Sequence, residues 1–575
     1  MKRMMLTAAA AVSSLGLMGA APQAYDVVVR GGTIYDGSGG EPFVGDVAIR
    51  KDRIVYVGPK APGRARHEID ARGQAVSPGF VNMLSWSTES LMMDGKAQSD
   101  IRQGVTLEVM GEGDSMGPLN EEMKRKALQR QGDFKYEIDW TTLDEYLTKL
   151  EKKGISPNVA SFVGATSVRE HVLGEDDVDP TPAQLLEMRR LVRQAMEDGA
   201  MGVGSSMIYA PASYAETPEL IALVEEAGKC GGMYISHMRS EGDRLVEAVD
   251  ELIEISRRSG APAEIYHLKA AGRSNWGKLD TVLARIEAAR KEGLRITTDM
   301  YTYPAGATGL DAAMPTWVQS GGLEKWVENL KDPTTRAKVI AEMRDDKAGW
   351  ENLARHAGPD GVLFIGFKNP KLRGYIGKTL AQVAKERGVS PEDAAIDLVI
   401  EDNSRVDTVY FLMSEENVAR QTALPYMSFG SDAEASAPEG LFLNSSTHPR
   451  AYGNFSRFLA KYVRDEKRSS LPDAIRRLSH LPSTNLGIRD RGLLKKGYYA
   501  DVVVFDPNRV QDHATFEKPM VFSTGVNWVL VNGGVALANG NPTAQPTGRV
   551  VRGRGWKGQA GGGCKASAKA WKWDW

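Results

Sequence analysis

Cysteine is scarce in this sequence. Cys230 and Cys564 are the two cysteines among 575 residues, and they are widely separated, with no CxxC motif. Zinc frameworks built on cysteine need closely spaced pairs, so two isolated cysteines exclude such a framework. Because Cys564 lies in a glycine-rich tail, no disulfide bond is predicted.

Strong net charge and long apolar runs are also lacking. The formal net charge is −2, with 25% charged and 42% hydrophobic residues. This balance is typical of a globular protein, and it provides no basic field for nucleic acid or for an anionic membrane. After the N-terminus, no apolar run reaches the roughly 20 residues of a membrane-spanning helix. We therefore expect neither a nucleic-acid partner nor membrane association of the mature chain.

The N-terminus does carry a short apolar run. Lys2 and Arg3 precede apolar residues 6–18, and small residues follow at 20–24. This order is typical of a secretory signal, and the run is too short for a membrane span. We predict a signal peptide over residues 1–24 and export to a bacterial periplasm or medium. The alternative is an uncleaved N-terminal anchor.

The two ends of the chain share one sequence pattern. Residues 25–77 and 490–552 contain alternating apolar and polar positions separated by glycine and aspartate turns. Such patterns predict short antiparallel strands. We expect the two pieces to build one small β-sandwich.

The middle of the chain, residues 78–489, alternates apolar strands with charged amphipathic helices. This repetition predicts a parallel sheet, and its length favours an α/β (β/α)₈ TIM-like barrel over the alternative, a doubly wound sheet. Residues around 310–410 interrupt the rhythm and are interpreted as an insertion over the barrel mouth. The tail, residues 553–575, is either a flexible end or an arm that packs on a second copy in a homo-oligomer.

Polar residues follow several of the predicted strands. His237 ends the strand in "MYISHMRSEG", and "AEIYHLKAAG" places His267 and Lys269 at the end of the next. "RITTDMYTYP" and "MSFGSDAEA" add further polar groups at strand ends: Asp299, Tyr301, Tyr303 and Asp432. In a barrel such ends form the catalytic face.

Two histidines on consecutive strand ends suit one zinc ion that keeps an open position for water. Asp432 would act as the general base, although an aspartate after Gly-Ser also suits a helix N-cap. His448, just after the Asp432 loop, is a further candidate for the pocket. Each histidine alone would also fit a hydrogen-bonded interior role.

Taken together, these stretches resemble the amidohydrolase superfamily, and within it the N-acyl-D-amino-acid deacylase (D-aminoacylase) family. The similarity extends over residues 25–552 and is clearest in "GVGSSMIYAPASYAETPEL", "HLKAAGRSNWGK", "FGSDAEA" and "HPRAYGNFSRFLAKYVR". It implies a (β/α)₈ barrel with a small β-sandwich, a zinc ion on His237 and His267, and acid–base chemistry at Asp432. It also implies that Lys269, with Tyr301 or Tyr303, meets a substrate carboxylate.

The sequence departs from the family pattern at two places. In "PGFVNMLSWSTES" the positions of the family's paired histidines hold Leu84 and Trp86, and Gly113 holds the position of its metal-binding cysteine. We propose that Glu112 replaces that cysteine, since a carboxylate is a competent zinc ligand. Asp114 and Glu89 are alternative carboxylate ligands, and Glu112 could instead form hydrogen bonds with the backbone of the turn. Without the histidine pair we expect one zinc per chain, with Leu84 and Trp86 lining an apolar wall.

The resemblance implies a zinc-dependent amidohydrolase whose partner is a small amide: an N-acyl amino acid or a related peptide-like or aromatic amide. Two alternatives stay open. One is a cyclic-amide hydrolase of the dihydropyrimidinase type, and the other is a non-catalytic binding protein on a degenerate barrel.

Overall fold

The computed structural model describes residues 23–347, 349–543, 545–559 and 563–564. The predicted signal peptide therefore lies almost wholly outside the described residues, as does most of the C-terminal tail. Within these ranges, no helix combines the length and apolarity needed to cross a membrane.

Twenty-one strands are described. They are β1 (Gln23–Ile34), β2 (Phe43–Arg50), β3 (Arg53–Gly58), β4 (Arg64–Asp70), β5 (Ala75–Pro78), β6 (Phe80–Asn82), β7 (Val105–Met110), β8 (Asn158–Ser161), β9 (Val163–Gly164), β10 (Gly202–Ser206), β11 (Met233–His237), β12 (Ala263–Ile265), β13 (Ile296–Met300), β14 (Gly306–Gly309), β15 (Val362–Gly366), β16 (Asp407–Tyr410), β17 (Met427–Phe429), β18 (Val502–Phe505), β19 (Val526–Val531), β20 (Gly534–Ala538) and β21 (Asn541–Pro542).

Eighteen α-helices are described. They are α1 (Ser90–Met93), α2 (Gln98–Ile101), α3 (Glu121–Arg130), α4 (Leu143–Lys153), α5 (Ala165–Leu173), α6 (Pro182–Asp198), α7 (Thr217–Lys229), α8 (Leu245–Ser259), α9 (Leu279–Lys291), α10 (Gly322–Lys331), α11 (Pro333–Arg344), α12 (Leu353–Ala357), α13 (Leu380–Arg387), α14 (Pro391–Asp402), α15 (Glu415–Gln421), α16 (Arg450–Arg457), α17 (Leu471–Leu478) and α18 (His480–Asn485).

The alternation of strands and helices predicted for the middle of the chain is confirmed as a mixed α/β fold. β6, β7 and β8 pair in parallel, and β9, β10, β11, β12, β13 and β17 form a second parallel series. β8 and β9 are separated by Phe162 alone. The two series meet where Met83 N donates to Phe429 O (3.0 Å) and Ser85 bridges Ala433 in parallel. The carboxyl ends of all these strands therefore lie at one edge.

The helices between the strands end where the sequence provides caps. Helix α6 begins at a capping box of Thr181 and Gln184, with Pro182 at its first position, and ends at the left-handed Gly199 (φ 112°). Proline lacks the N–H that the first turn leaves unpaired, and glycine adopts positive φ without strain. Buried Met188, Val192 and other apolar side chains on one face of α6 then pack against the parallel strands.

Between β13 and β17 the chain leaves the parallel series. β14, β16 and β15 form a separate antiparallel sheet, accompanied by helices α10 to α14. This stretch contains residues 310–410, where the sequence predicts an insertion. It reaches back to the loop after β11, where Glu351 accepts hydrogen bonds from Ser240 and Glu241.

Strands from both chain ends pair in one nine-stranded sheet, in which β18 lies antiparallel beside β5. The prediction of antiparallel strands holds for β1–β2 and β2–β3, but β4 and β5 pair in parallel with β1. The reason is that the chain crosses past β1 after β3 instead of turning back. Arg30 on β1 holds this crossing by donating to the carbonyls of Ala61 and Gly63, both at 2.9 Å.

The structure corrects the expectation that the cysteines are unpaired: Cys230 and Cys564 form a disulfide bond. The tail runs beneath the parallel strands, where Val551 N donates to Val159 O and Gly553 N donates to Gly199 O. Cys564 lies at the end of helix α7, where Cys230 is the C-terminal cap. A separation of 334 residues hides such a pairing from sequence reasoning.

Candidate active site

Four polar side chains predicted to carry the chemistry lie at the shared edge of the parallel strands. Glu112 follows β7, His237 is the last residue of β11, His267 follows β12, and Asp432 follows β17. Because parallel strands present their carboxyl ends at one face, residues far apart in sequence converge there. The imidazole rings of His237 and His267 are perpendicular, with centroids 4.6 Å apart.

Glu112 lies between the two histidines. Its Oε1 is 3.2 Å from His237 Nδ1 and 3.0 Å from His267 Nε2, and all three side chains are buried. One ligand atom from each residue lies within 4.8 Å of the others, a group that could hold a metal ion. A carboxylate oxygen with two imidazole nitrogens is a donor set that zinc accepts, so these residues fit the ion that the sequence predicts.

The charges around this group favour a cation. Burial alone would raise the pKa of Glu112, but hydrogen bonds from His237 and His267 lower it to about 2. Burial and Lys269 both oppose protonation of His267, yet Glu241 and Glu112 raise its pKa to about 10. Two carboxylates that stabilise a positive charge on His267 would also stabilise a metal cation at this place.

The alternative carboxylates lie elsewhere. Asp114 is exposed and is not part of the three-residue group found among the described residues. Glu89 accepts a hydrogen bond from the Tyr136 hydroxyl at 2.6 Å. The geometry therefore favours Glu112 over both.

A second carboxylate, Glu241, contacts the outer side of the group. Its Oε1 is 2.9 Å from His267 Nδ1 and accepts a hydrogen bond from Lys269 Nζ at 2.6 Å. Its Oε2 is 3.7 Å from His237 Nε2. Carboxylates in this position fix the orientation of metal-binding histidines. Glu241 is part of the stretch "MYISHMRSEG", but no pattern in the sequence predicts a role for it.

Asp432 is held by contacts from three directions. Trp86 Nε1 donates to its Oδ1 (3.1 Å), Arg450 Nη1 is 2.8 Å from its Oδ2, and its backbone N donates to Leu84 O (2.8 Å). Its φ of 50° is left-handed, a conformation that aspartate tolerates better than most residues. Burial raises the pKa of Asp432 while Arg450 opposes the rise. The carboxylate is thus fixed in direction, and burial favours its taking up a proton.

A model described as "Amidohydrolase family" matches residues 417–536. An N-acyl-D-glutamate deacylase of Alcaligenes xylosoxydans xylosoxydans is 31% identical over 530 residues, covering 92% of this chain and 96% of that protein.

The chain belongs to the N-acyl-D-amino-acid deacylase family of amidohydrolases. It is a hydrolase of carbon–nitrogen amide bonds.

Solved structures of this family agree with the assignment. The N-acyl-D-glutamate deacylase from Bordetella bronchiseptica, complexed with zinc and a phosphonate inhibitor, has a TM-score of 0.75 and 29% identity, covering 92% of this chain and 99% of that one. A D-aminoacylase has a TM-score of 0.76 and 30% identity, covering 92% and 100%. Its binuclear metal centre is described as showing one-metal activation and second-metal attenuation.

The remaining predicted site residues differ in whether they lie beside the predicted metal ligands or are bonded elsewhere. Lys269 and Tyr301 lie beside His267, and Lys269 Nζ is 5.4 Å from the centroid of the Tyr301 ring. Within the described residues, the buried Tyr301 hydroxyl has no hydrogen-bond partner. In contrast, the Tyr303 hydroxyl donates to Asp512 at 3.3 Å. Both ring nitrogens of His448 contact backbone atoms, namely Ala305 O and Arg450 N.

Leu84 and Trp86 differ in exposure. Leu84 is fully buried among the apolar residues of the strands, and its carbonyl positions Asp432. Trp86 is partly buried and presents its indole N–H to Asp432. Both residues therefore contact the predicted general base, Leu84 through its backbone carbonyl and Trp86 through its side chain.

Two residues near the site escaped sequence reasoning. The Arg450 guanidinium lies 4.4 Å from the Tyr301 ring centroid in addition to its contact with Asp432. Tyr209 packs edge-on against His237, with centroids 5.3 Å apart. The "HPRAYG" and "SSMIYAP" stretches contain them, and each stretch belongs to the part of the sequence that carries the family resemblance.

Replacing Trp86 with phenylalanine should lower kcat about tenfold, because an apolar ring of similar shape cannot donate a hydrogen bond, and such a bond to a charged group contributes about 1.5–3 kcal/mol. Steady-state kinetics of zinc-loaded Trp86→Phe checks this. KM, zinc content and the melting temperature should change little. An unchanged kcat would show that the indole N–H does not orient Asp432.

Proposed function

We propose that this chain is a zinc-dependent deacylase that cleaves the amide bond of N-acyl amino acids of the D configuration. The observation that carries the proposal is the convergence of Glu112, His237 and His267 with Asp432 at one edge of the strands. The D configuration is supported by the relatives that cleave N-acyl-D-amino acids. Related peptide-like and aromatic amides are included in the proposed range.

The proposed zinc site holds one ion per chain through Glu112, His237 and His267. Leu84 and Trp86 offer no ligand atom where the family pattern has histidines, so the second position of a binuclear centre is lost. The chemistry that bound zinc supplies is polarisation of a carbonyl group and acidification of water.

Asp432 is the proposed general base and acid. It takes a proton from the water whose oxygen attacks the amide carbonyl carbon, and it returns that proton to the nitrogen as the C–N bond breaks. The products are a carboxylic acid and a free amine. Trp86 and Arg450 keep the carboxylate directed during both transfers.

The substrate carboxylate is proposed to bind beside Tyr301. Lys269 and Arg450 place positive charge 5.4 and 4.4 Å from the centroid of that ring, and the Tyr301 hydroxyl has a hydrogen bond to offer. A guanidinium and an ammonium group match a carboxylate in charge and hydrogen bonding. The partly exposed Trp86 adds an apolar surface suited to a bulky acyl or aromatic group.

The proposed architecture is a closed (β/α)₈ barrel, residues 78–489, joined to a β-sandwich made of residues 25–77 and 490–552. The meeting of the two parallel series at Met83 and Phe429 supports closure of the barrel. Export is proposed from residues 1–24, and the Cys230–Cys564 disulfide supports it, because disulfides persist mainly in oxidising compartments.

The test is a hydrolysis screen with matched pairs of N-acyl-D- and N-acyl-L-amino acids, run with zinc-loaded full-length protein. We expect release of free amine from D substrates at rates well above those from their L partners. Cleavage of dihydropyrimidines but not of N-acyl amino acids would favour the cyclic-amide alternative. If no amide is cleaved although zinc binds, a non-catalytic role would replace the proposal.

A further inference from the structure

The insertion between β13 and β17 contributes a side chain to the support of the site. Glu351 lies between α11 and α12, far from any of the parallel strands in sequence. Its Oε2 accepts a hydrogen bond from Ser240 Oγ (2.7 Å), and its Oε1 accepts one from the backbone N of Glu241 (3.0 Å). Both donors belong to the loop that follows His237.

Glu241, whose backbone N donates to Glu351, also makes contacts through its carbonyl and its side chain. Its carbonyl accepts from Ala271 N at 2.7 Å, which joins the loop after β11 to the loop after His267 and Lys269. Its side chain contacts His267, Lys269 and, at 3.7 Å, His237. Any shift of the Glu241 backbone would therefore move the carboxylate that holds His267 and Lys269.

The insertion packs against these loops so closely that glycine is required. A Cβ on Gly242 would lie 2.8 Å from His356 Nε2 and 3.1 Å from Glu351 Oε1. A Cβ on Gly272, in the loop after Lys269, would lie 2.7 Å from His356 Nδ1. Arg355 pairs with Asp243 in the same contact. Residues 351–356 thus pack against both the loop after β11 and the loop after Lys269.

We infer that Glu351 is a positioning residue of the deacylase site: by fixing the Ser240–Glu241 backbone, it sets the orientation of His267 and Lys269 through the Glu241 carboxylate. The inference rests on the proposed function and deepens it. It assigns to the insertion a part in building the metal site, and not only in covering the mouth of the barrel.

Zinc affinity is the readout that a merely structural role would not move. Outer contacts of metal-binding histidines typically contribute 10–100-fold to metal affinity. We expect Glu351→Ala to weaken zinc binding about tenfold, and Glu351→Gln to weaken it less, because the amide oxygen can still accept one of the two hydrogen bonds. Competition with a fluorescent zinc chelator measures both, using full-length protein.

A matched control lies on the same insertion. Glu342 on α11 accepts a hydrogen bond from Trp317 Nε1 (2.9 Å). Glu342→Gln should leave zinc affinity unchanged. Ser240→Ala removes one of the two contacts of Glu351 together with the hydrogen bonds that Ser240 Oγ accepts from Gly242 N and Arg244 N. It should weaken zinc binding at least as much as Glu351→Gln, which keeps the test usable should Glu351→Ala fail to fold.

The outcomes separate this inference from the proposed function. If the wild type binds no zinc, the proposed function fails. If the wild type binds zinc and the Glu351 variants bind it equally well, with only a lower melting temperature, Glu351 is structural and the inference is overturned.

Discussion

Replacing Asp432 with asparagine should lower kcat about 1,000-fold, within the range of 10²–10⁴ that general acid–base catalysis contributes. Asparagine keeps the shape of the side chain, and its oxygen can still accept from Trp86 Nε1. It cannot take a proton from water or return one to the departing amine. Because substrate binding is assigned to Lys269, Arg450 and Tyr301, KM should change far less than kcat. Steady-state kinetics with zinc-loaded protein measures the effect.

Asp311 provides the matched control for this variant. It is also a buried aspartate paired with an arginine, since Arg405 Nε lies 2.8 Å from Asp311 Oδ2. Asp311→Asn should keep kcat within a few-fold of the wild-type value, which separates loss of a buried charge from loss of the base. If Asp432→Asn keeps full activity, the acid–base assignment is wrong.

The second large effect concerns Glu112. Glu112→Ala should weaken zinc binding by more than about 100-fold, since loss of a ligand should exceed the 10–100-fold effect of removing an outer contact. The variant leaves His237 and His267 as a two-residue site. Elemental analysis after dialysis against a weak chelator should find little zinc, and hydrolysis should be lost with it.

Asp114 is the comparison that makes the Glu112 result specific. It lies two residues further along, is exposed, and is outside the three-residue group. Asp114→Ala should retain zinc under the same dialysis. Normal zinc content in Glu112→Ala would reject Glu112 as a ligand, and loss of zinc from Asp114→Ala alone would transfer the role to Asp114.

The sequence predicts the parts of the site that depend on local order. His237 and His267 follow consecutive apolar strands, and parallel neighbours such as β11 and β12 must bring their ends together. The alternation of strands and helices follows from hydrophobic periods and caps, as in α6. The prediction that Glu112 is a metal ligand depended on the family resemblance, because a single carboxylate in a glycine-rich turn produces no periodic pattern in the sequence.

Other parts depend on contacts that no local pattern encodes. Arg450 contacts Asp432 from helix α16, and Glu351 contacts Glu241 from the insertion, so both contacts depend on how separate segments pack. The parallel pairing of β4 and β5 with β1 depends on a crossing, and strand composition does not reveal it. The Cys230–Cys564 bond depends on the path of the tail under the strands.

The stretch "PGFVNMLSWSTES" begins at Pro78, the last residue of β5, and continues into β6 (Phe80–Asn82). The resemblance implies that Leu84 and Trp86 stand where the family has metal-binding histidines. In this chain Leu84 is buried between the strands, and Trp86 donates a hydrogen bond to Asp432. We therefore expect zinc in excess of one equivalent to find no second site at these positions.

Zinc titration of the metal-free, full-length protein tests the account most directly, with bound zinc and amide hydrolysis measured in the same samples. We expect hydrolysis of an N-acyl-D-amino acid to rise with added zinc and to reach its plateau at about one zinc per chain. Full hydrolysis without zinc, or a plateau only at two zinc ions per chain, would contradict it.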